Sequence, residues 1–344
     1  MAKKKTKIKD LYTQVMEMKE RGEKLLLKKR RFLGYDTGFP LLNLAIDGIQ
    51  NELYILAGAS AMGKTTFLTQ ICWQLAENNH DLHVIFLSLD QSSLDITAKF
   101  VGQLGEIPVD YVQHPFPIDE ELDEGRIGSI FRISELKDRI TIIDDSDFSI
   151  DDLDSLIKKM NKDGIEDICV LIDPALKLHK MNEGEDFIHA YRNIFLSLKR
   201  MCRKRNCGII TSFGLSHAAE LKRAEKKNLL EIPELLSLSY SVMILHTDYM
   251  NDFDTPFLEW DWSGRDIIVP ISEINIIKNK MNFFRGRIFY KFFASFAKYR
   301  ECIDEENQNY NEMIGNIGFH KDKEKRKDRM LLEKQLLKDD KVDV

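Results

Sequence analysis

The apolar positions of this chain fall into short runs separated by longer segments with a helical repeat. Seven such runs start with the one at Leu53: "LYILA", "HVIFLSL", "RITII", "ICVLI", "GIITSF", "SVMILH" and "EINIIK". Between them, apolar residues recur with a period of about 3.6. Strands that alternate with helices in this way indicate βαβ units. We therefore predict an α/β fold with a mostly parallel central sheet flanked by helices.

Two of the helices carry clear end signals. Ser149 precedes "IDDLDSLIKKM" and Asp152 follows it by three positions, which is the spacing of a capping box. One face of this helix stays apolar through Ile150, Leu153, Ile157 and Met160. A second helix follows Glu185 and ends in "RKRNCG", where basic residues and a glycine are typical of a helix C-terminus.

The N-terminal segment from Asp10 to Arg31 predicts a basic amphipathic helix. Its apolar positions are Leu11, Val15, Met18, Leu25 and Leu26, and charged residues fill the other faces. This helix either folds onto its own domain or docks on a neighbouring subunit.

Composition divides the chain into three parts. With 43% hydrophobic and 31% charged residues in 344, it has the composition of a soluble globular protein. We expect a linker helix over 1–33, one α/β domain over 34–302, and a charged segment over 303–344. The last part has too few apolar residues for its own core, so we expect a mobile tail or a solvated helix.

Charge and cysteine content narrow the class further. Within the net charge of −6, residues 1–31 carry +8 and the remainder −14, which limits the nucleic-acid affinity of the domain as a whole. The sequence has no membrane-length apolar run and no apolar segment of a secretory signal, so we expect a cytoplasmic location without membrane contact. The five cysteines lack the paired spacing of a zinc site, and we expect reduced core thiols.

One motif carries strong chemical information. "LYILAGASAMGKTTF" places Gly58-x-x-x-x-Gly63-Lys64-Thr65 directly between a predicted strand and a predicted helix. This is the P-loop pattern, in which backbone N–H groups and a helix N-terminus face phosphates, Lys64 neutralises the β- and γ-phosphates, and the Thr65 hydroxyl binds Mg²⁺. The sequence therefore predicts an ATP and Mg²⁺ site formed by Gly58, Ala59, Ser60, Ala61, Met62, Gly63, Lys64, Thr65 and Thr66.

Two acids are candidates to complete this site. Asp173 ends the apolar run "ICVLID" and fits a Walker B residue that holds Mg²⁺. Pro174 follows it instead of a second acid, so a carboxylate that polarises the attacking water must come from elsewhere. Asp90, at the end of "VIFLSLD", is the natural donor, although a lone aspartate at a strand end is also typical of a solvated terminus.

The segment "GYDTGFPLLNLAIDGIQNELYILAGASAMGKTTF" resembles the entry to the ATPase domain of DnaB-type replicative helicases, a branch of the RecA-like fold. Further family segments are similar to the strand "VIFLSLDQSS", the segment "LIDPALKL" and the final strand pair "EINIIKNKMNFFRGRIFYKFF". The resemblance therefore covers about Gly34 to Arg300. It implies a RecA-like domain over 34–302, ATP bound between the subunits of a homo-oligomer (a hexamer is favoured), and single-stranded DNA as a partner. Only 33 residues precede this region, so we expect the primase-loading domain of the family to be missing and a partner protein to bind the N-terminal helix or the tail.

Three positions depart from the family pattern. Asp90 stands where the family has a catalytic Glu, and Gly214 where it has a Gln that senses the γ-phosphate. Lys278-Asn279-Lys280 stands for a Lys-x-Arg pair that reaches a neighbour's ATP, and Lys280 lacks the planar fork of arginine. Together these changes predict slow hydrolysis, with Asp90, Lys64 and a neighbour's Lys280 as the catalytic groups.

The resemblance also implies DNA contacts on a loop after the sensor strand. Lys222, Arg223, Lys226 and Lys227 lie close together there and could contact phosphates. A solvated helix face, with Glu220 and Glu225 between these cations, is equally consistent with the sequence.

Two other stretches have ordinary interpretations. The acidic run from Ile118 to Gly125 lacks the spacing of a calcium loop and predicts a solvated turn. Phe257, Trp260 and Trp262 indicate a hairpin that packs its own apolar face, or a patch that binds a partner.

Two functions follow. The first is an ATP-dependent nucleic-acid motor or remodeller of the DnaB-like class. The alternative is a catalytically weak protein that binds ATP, assembles and recruits a partner.

Overall fold

The computed structural model describes residues 10–27, 30–113, 120–178, 187–215, 229, 233–247, 257–262, 265–310 and 312. Its helices are α1 (Leu11–Leu27), α2 (Pro40–Ile46), α3 (Lys64–Asn78), α4 (Ser93–Gly105), α5 (Val109–Val112), α6 (Glu120–Leu136), α7 (Ile150–Lys162), α8 (Phe187–Arg205) and α9 (Pro233–Leu238). Its strands are β1 (Leu53–Gly58), β2 (His83–Ser88), β3 (Ile140–Ile143), β4 (Ile168–Asp173), β5 (Gly208–Gly214), β6 (Ser241–Thr247), β7 (Phe257–Trp262), β8 (Arg265–Asn279), β9 (Gly286–Phe293) and β10 (Lys298–Glu301).

The strands form one mixed sheet with the order β10-β9-β8-β6-β1-β5-β4-β2-β3, and β7 pairs with β8. Strands β1 to β6 pair in parallel, whereas β8, β9 and β10 continue the sheet in antiparallel pairs. Each of the seven apolar runs coincides with a strand. The predicted α/β fold with a mostly parallel central sheet is confirmed.

Alternating side chains of the central strands feed two cores, one on each face of the sheet. On β1, Tyr54 and Leu56 pack in one core, whereas Leu53, Ile55 and Ala57 pack in the other. Buried residues of α3, α4 and α6 cover the first face, and buried residues of α7, α8 and α9 cover the second. Both faces are therefore closed by helices, which is why these strands read as nearly continuous apolar runs.

The end signals of two helices are confirmed. The Ser149 hydroxyl accepts a hydrogen bond from the Asp152 backbone N–H, and the Asp152 carboxylate accepts one from the backbone N–H of Ser149. Helix α8 ends at Arg205, within the basic turn.

The prediction for the acidic run was wrong where the structure describes it, because Glu120 to Gly125 form the first turns of α6. Acidic side chains near a helix N-terminus are favourable to the helix dipole. Gly125 packs closely on α4, since a Cβ added to Gly105 would lie 2.6 Å from the Gly125 carbonyl oxygen. The glycine therefore serves a helix crossing rather than a turn.

The N-terminal helix exists as predicted, but α1 contains no buried residue. Leu11, Val15, Met18 and Leu26 are exposed, whereas Leu25 is half-buried beside residues of the domain, so most of the apolar stripe does not fold onto its own domain. Docking of α1 on a neighbouring subunit stays a prediction.

The structure also bears on the predictions for the cysteines, the hairpin, the C-terminal segment and membrane contact. All five cysteines are buried and free, and burial raises the pKa of Cys207 to about 12. The backbone of β7 and β8 forms the predicted hairpin. Residues 304–310, at the start of the predicted tail, are helical, and the ring of Tyr310 packs on that of Phe289 with centroids 5.7 Å apart. No helix in the described ranges is long and apolar enough to cross a membrane.

Candidate functional site

The P-loop lies at the carboxyl edge of the parallel strands. Strand β1 ends at Gly58, and α3 begins at Lys64, so the loop joins a central strand to a helix as predicted. Strand β1 runs between β5 and β6, which puts their carboxyl ends beside the loop. Ligands of open α/β sheets bind at this edge.

The loop conformation depends on two glycines. Gly63 is the N-cap of α3 and has a φ of 85°. In this left-handed conformation a residue with a side chain would be strained. A Cβ added to Gly58 would lie 2.8 Å from the carbonyl oxygen of Leu245 on β6. The Nζ of Lys64 donates a hydrogen bond to the Ala59 carbonyl at 2.6 Å. The motif therefore folds as a tight loop that opens onto the N-terminus of α3.

A cleft of about 540 Å³ opens at this point, within the size range of small-molecule sites. Eight of the residues predicted for the site line it: Ser60, Ala61, Gly63, Lys64, Thr65, Thr66, Asp90 and Asp173. Gly58, Ala59 and Met62 belong to the loop but do not line the cleft. Sequence reasoning did not anticipate other lining residues, among them Gln91, Lys99, Tyr191 and Ser212.

Asp173 lies at the carboxyl end of β4, opposite Ser88 of β2, and is only 6% exposed. Its Oδ1 accepts a hydrogen bond from the hydroxyl of Ser212 on β5. Within the described residues this bond engages one carboxylate oxygen, and the other can face a ligand. Ser212 was not identifiable from sequence, because its role depends on the pairing of β4 with β5.

Asp90 lies two residues beyond the end of β2, and its side chain is 60% exposed. Its carboxylate accepts a hydrogen bond from the ammonium group of Lys177. Lys177 belongs to a 3₁₀ turn, Ala175–Leu178, that directly follows β4. The two predictions for Asp90 are compatible, because the residue is solvated and also lines the cleft.

Two further side chains give the cleft its polarity. The Nζ of Lys99 on α4 donates to Oε1 of Gln91 at 2.7 Å. Burial lowers the pKa of Lys99, and the nearby carboxylates of Asp95 and Asp173 oppose this shift. Burial raises the pKa of Tyr191 on α8 to about 12, so its phenol stays protonated at neutral pH.

Gly214 ends β5 and lines the cleft. Among the residues that the structure describes, a Cβ added there would meet no atom within 4 Å. The position therefore has room for a side chain that this sequence does not supply.

The chain is similar to known proteins. The family described as the DnaB-like helicase C-terminal domain matches residues 34–300. The chain belongs to this family.

Curated relatives of this DnaB-like chain are distant. The replicative DNA helicase DnaB of Rickettsia felis is 23% identical over 242 residues, which cover 64% of this chain and 46% of the relative. The helicase of the same name from Pasteurella multocida is 24% identical over 195 residues, covering 56% of this chain and 41% of the relative. The chain spans about half the length of the curated relatives that it matches.

Solved structures confirm the RecA-like ATPase fold of the DnaB-like chain. A structure titled "ATPase Domain of G40P" superposes with a TM-score of 0.73 at 18% identity, covering 86% of this chain and 100% of that one. A structure of a DnaB-like replicative helicase and its interactions with primase superposes with a TM-score of 0.70 at 18% identity, covering 85% of this chain and 67% of that one.

The Lys278-Asn279-Lys280 segment of the DnaB-like chain lies far from its own P-loop. Asn279 pairs with Ser241 at the start of β6, so Lys280 lies at the amino edge of the parallel strands. A strand as long as β6 spans roughly 20 Å. The side chain of Lys280 is largely exposed. The burial of its remaining part and the nearby cation of Lys199 lower the pKa of Lys280.

Lys278 has a different environment from Lys280. Its Nζ donates to the carbonyl oxygens of Leu236 and Ser239 at the C-terminal end of α9. Burial, and secondarily the cation of Lys280, lower the pKa of Lys278 to about 8. Lys278 thus stabilises its own domain, whereas the side chain of Lys280 is open to solvent.

The cations predicted to contact DNA, Lys222, Arg223, Lys226 and Lys227, lie outside the described residues.

Proposed function

We propose that the chain is an ATP-hydrolysing DnaB-like helicase or nucleic-acid remodeller that works as a ring or filament. The observation that carries this proposal is that Lys64, Thr65, Asp90 and Asp173 line one cleft at the carboxyl edge of the sheet. These are the cation, the hydroxyl and the two carboxylates that phosphoryl transfer from ATP requires.

The donor set suits ATP and Mg²⁺. Mg²⁺ prefers oxygen ligands, and Thr65 and Asp173 offer a hydroxyl and a buried carboxylate on neighbouring elements. When bound, Mg²⁺ would neutralise charge on the phosphate oxygens. The backbone of Gly58 lies so close to the Leu245 carbonyl oxygen that no side chain would fit, which holds the start of the loop against β6.

The residues of the chain then divide the work. Lys64 neutralises the β- and γ-phosphates, and Ser60, Ala61 and Gly63 shape the phosphate loop. Asp173, oriented by the Ser212 hydroxyl, holds Mg²⁺ together with Thr65. Asp90 accepts a hydrogen bond from the attacking water and polarises it.

Lys280 completes the ATP site of a neighbouring subunit. It lies at the opposite edge of the sheet from its own cleft, so only a second copy can receive it. A lysine supplies charge without the bidentate fork of arginine. Together with the short side chain of Asp90 and the missing side chain at Gly214, this supports slow turnover.

Single-stranded DNA is the proposed nucleic-acid partner, contacted through Lys222, Arg223, Lys226 and Lys227. Support comes from the charge of this cluster and from relatives named as replicative DNA helicases. The exposed apolar stripe of α1 supports docking of this helix on an adjacent subunit, within a homo-oligomer for which we favour a hexamer. Since a solved relative interacts with primase, a protein partner at α1 or at the tail also belongs to the proposal.

A subunit-mixing experiment tests this proposal. Lys64→Ala should lower the ATP hydrolysis rate on the order of 100-fold, and Lys280→Ala should lower it about tenfold. A mixture of the two variants should hydrolyse ATP faster than the sum of its parts, because an intact P-loop can then meet an intact Lys280. The exposed variant Lys158→Met on α7 is the control and should behave as wild type. A mixture that only sums its parts would contradict the shared site.

A further inference from the structure

Lys177 occupies a special position among the cations near the cleft. The Nζ of Lys64 is held by the Ala59 carbonyl, and that of Lys99 by the Gln91 side chain. The ammonium group of Lys177 instead pairs with Asp90, the carboxylate that is proposed to polarise water. Pro174, just before the same turn, and Leu176, within it, line the cleft. Lys177 therefore lies within one side-chain length of the cleft.

The ion pair between Lys177 and Asp90 is easily exchanged. The side chains are 47% and 60% exposed, respectively. Exposed ion pairs contribute little to stability, because water screens both charges. A terminal phosphate carries more negative charge than one carboxylate, so it competes effectively for the same ammonium group.

The site also has an opening for such a group. Gly214 supplies no side chain at the carboxyl end of β5, although a Cβ there would meet no atom of the described residues within 4 Å. The flexible four-carbon stem of a lysine allows it to move between two anionic partners. Lys177 approaches from the turn after β4, the strand next to β5.

We propose that Lys177 senses the γ-phosphate within its own subunit. It pairs with Asp90, and it exchanges this partner for the terminal phosphate of a bound nucleoside triphosphate. The exchange frees the Asp90 carboxylate to accept a hydrogen bond from the attacking water. The inference rests on the proposed function, because it needs triphosphate binding at the P-loop.

The consequence that can be measured is discrimination between triphosphate and diphosphate. Lys177 can contact a phosphate in place of Asp90 only when a γ-phosphate is present. Its removal should therefore weaken triphosphate binding and leave diphosphate binding nearly unchanged. A merely structural role of Lys177 would alter both affinities together.

The experiment measures the equilibrium affinity of the full chain for ADP and for the imido analogue of ATP, in which NH replaces the β–γ bridging oxygen, with Mg²⁺ present. Lys177→Met should weaken binding of the analogue roughly fivefold, the equivalent of one exposed charge interaction, while ADP affinity changes less than about twofold. Lys177→Arg keeps the charge and should restore the ratio. Lys158→Met removes a lysine charge at an exposed position of α7 and should leave the ratio of the two affinities unchanged. The ADP affinity of each variant serves as its folding control.

Two results would overturn the inference. An unchanged ratio of affinities in Lys177→Met, with faster hydrolysis, would identify Lys177 as a permanent partner that only weakens Asp90. An equal loss of both affinities would identify a structural role. In both cases the proposed function still holds if the wild type binds nucleotide and Lys64→Ala does not. If the wild type binds neither nucleotide, the proposed function and the inference about Lys177 are both contradicted.

Discussion

The hydroxyl of Ser212 donates a hydrogen bond to the carboxylate of Asp173 across the pairing of β5 with β4. Both residues are buried, so the carboxylate has little freedom to rotate. A ligand oxygen that is fixed by a neighbouring donor binds its metal more tightly than a mobile one.

Ser212→Ala should raise the Mg²⁺ concentration needed for half-maximal ATP hydrolysis about tenfold, with the rate at saturating Mg²⁺ largely retained. Thr211→Val is the matched control. It removes the neighbouring hydroxyl, which donates to the Ile172 carbonyl at 3.1 Å, and should cost about 1 kcal/mol of stability without changing the Mg²⁺ requirement. Equal Mg²⁺ requirements for the two variants would contradict a role for Ser212 in orienting Asp173.

Asp90 is proposed to polarise the attacking water with a side chain that is one methylene shorter than the Glu expected from the family resemblance. Asp90→Glu should raise the hydrolysis rate at saturating ATP by several-fold, up to about tenfold, because the carboxylate comes closer to the water. Asp90→Asn should lower it on the order of 100-fold. An unchanged rate in Asp90→Glu would indicate that another acid performs this step.

Gly214 leaves open space at the end of β5, and its backbone conformation tolerates a side chain. Gly214→Gln should raise the hydrolysis rate about tenfold by supplying a polar contact to the γ-phosphate. Gly214→Met fills similar volume without the amide and should not do so. Equal rates in the two variants would show that volume, rather than hydrogen bonding, is what the position senses.

Asp154 joins α7 to α8 through two of the basic side chains at the α8 C-terminus. Arg205 donates to its two carboxylate oxygens at 2.7 and 2.6 Å, and Lys204 donates at 2.7 Å. These donors, Arg205 foremost, lower the pKa of Asp154 to about 2 from 3.8. Because the folded-state pKa is the lower one, this stabilisation is present above about pH 4 and is lost as the pH falls towards 2.

Asp154→Asn should therefore lower the free energy of unfolding by about 1 kcal/mol at pH 7, with a difference from wild type that shrinks between pH 4 and 2. Denaturant titrations at several pH values measure this. A difference that stays constant with pH would mean that packing, not charge, links the two helices.

Local patterns in the sequence predict much of this molecule. Each apolar run became a strand because its length and composition fit a sheet covered on both faces, and the P-loop pattern fixed the position of Lys64 and Thr65. The acidic start of α6 was misjudged as a turn, and the close contact between Gly125 and Gly105, which packs α6 on α4, joins residues 20 positions apart and is not visible in the local sequence.

The partners of the two carboxylates were not predictable from sequence. Ser212 meets Asp173 only because β5 pairs with β4, and Lys177 meets Asp90 only because β2 pairs with β4. These contacts join residues 39 and 87 positions apart, respectively, and no local spacing encodes them. The location of Lys280 at the opposite edge of the sheet likewise depends on the antiparallel register of β8 with β6.

We propose a motor whose ATP hydrolysis is coupled to single-stranded DNA. The most direct test measures the steady-state rate of ATP hydrolysis with and without a single-stranded oligonucleotide, at fixed salt because phosphate contacts are salt-dependent. We predict stimulation of about tenfold or more, abolished by Lys64→Ala. If the chain binds ATP measurably but single-stranded DNA does not change its hydrolysis rate, the motor function is contradicted. The alternative would then be favoured, in which a catalytically weak protein binds ATP, assembles and recruits a partner.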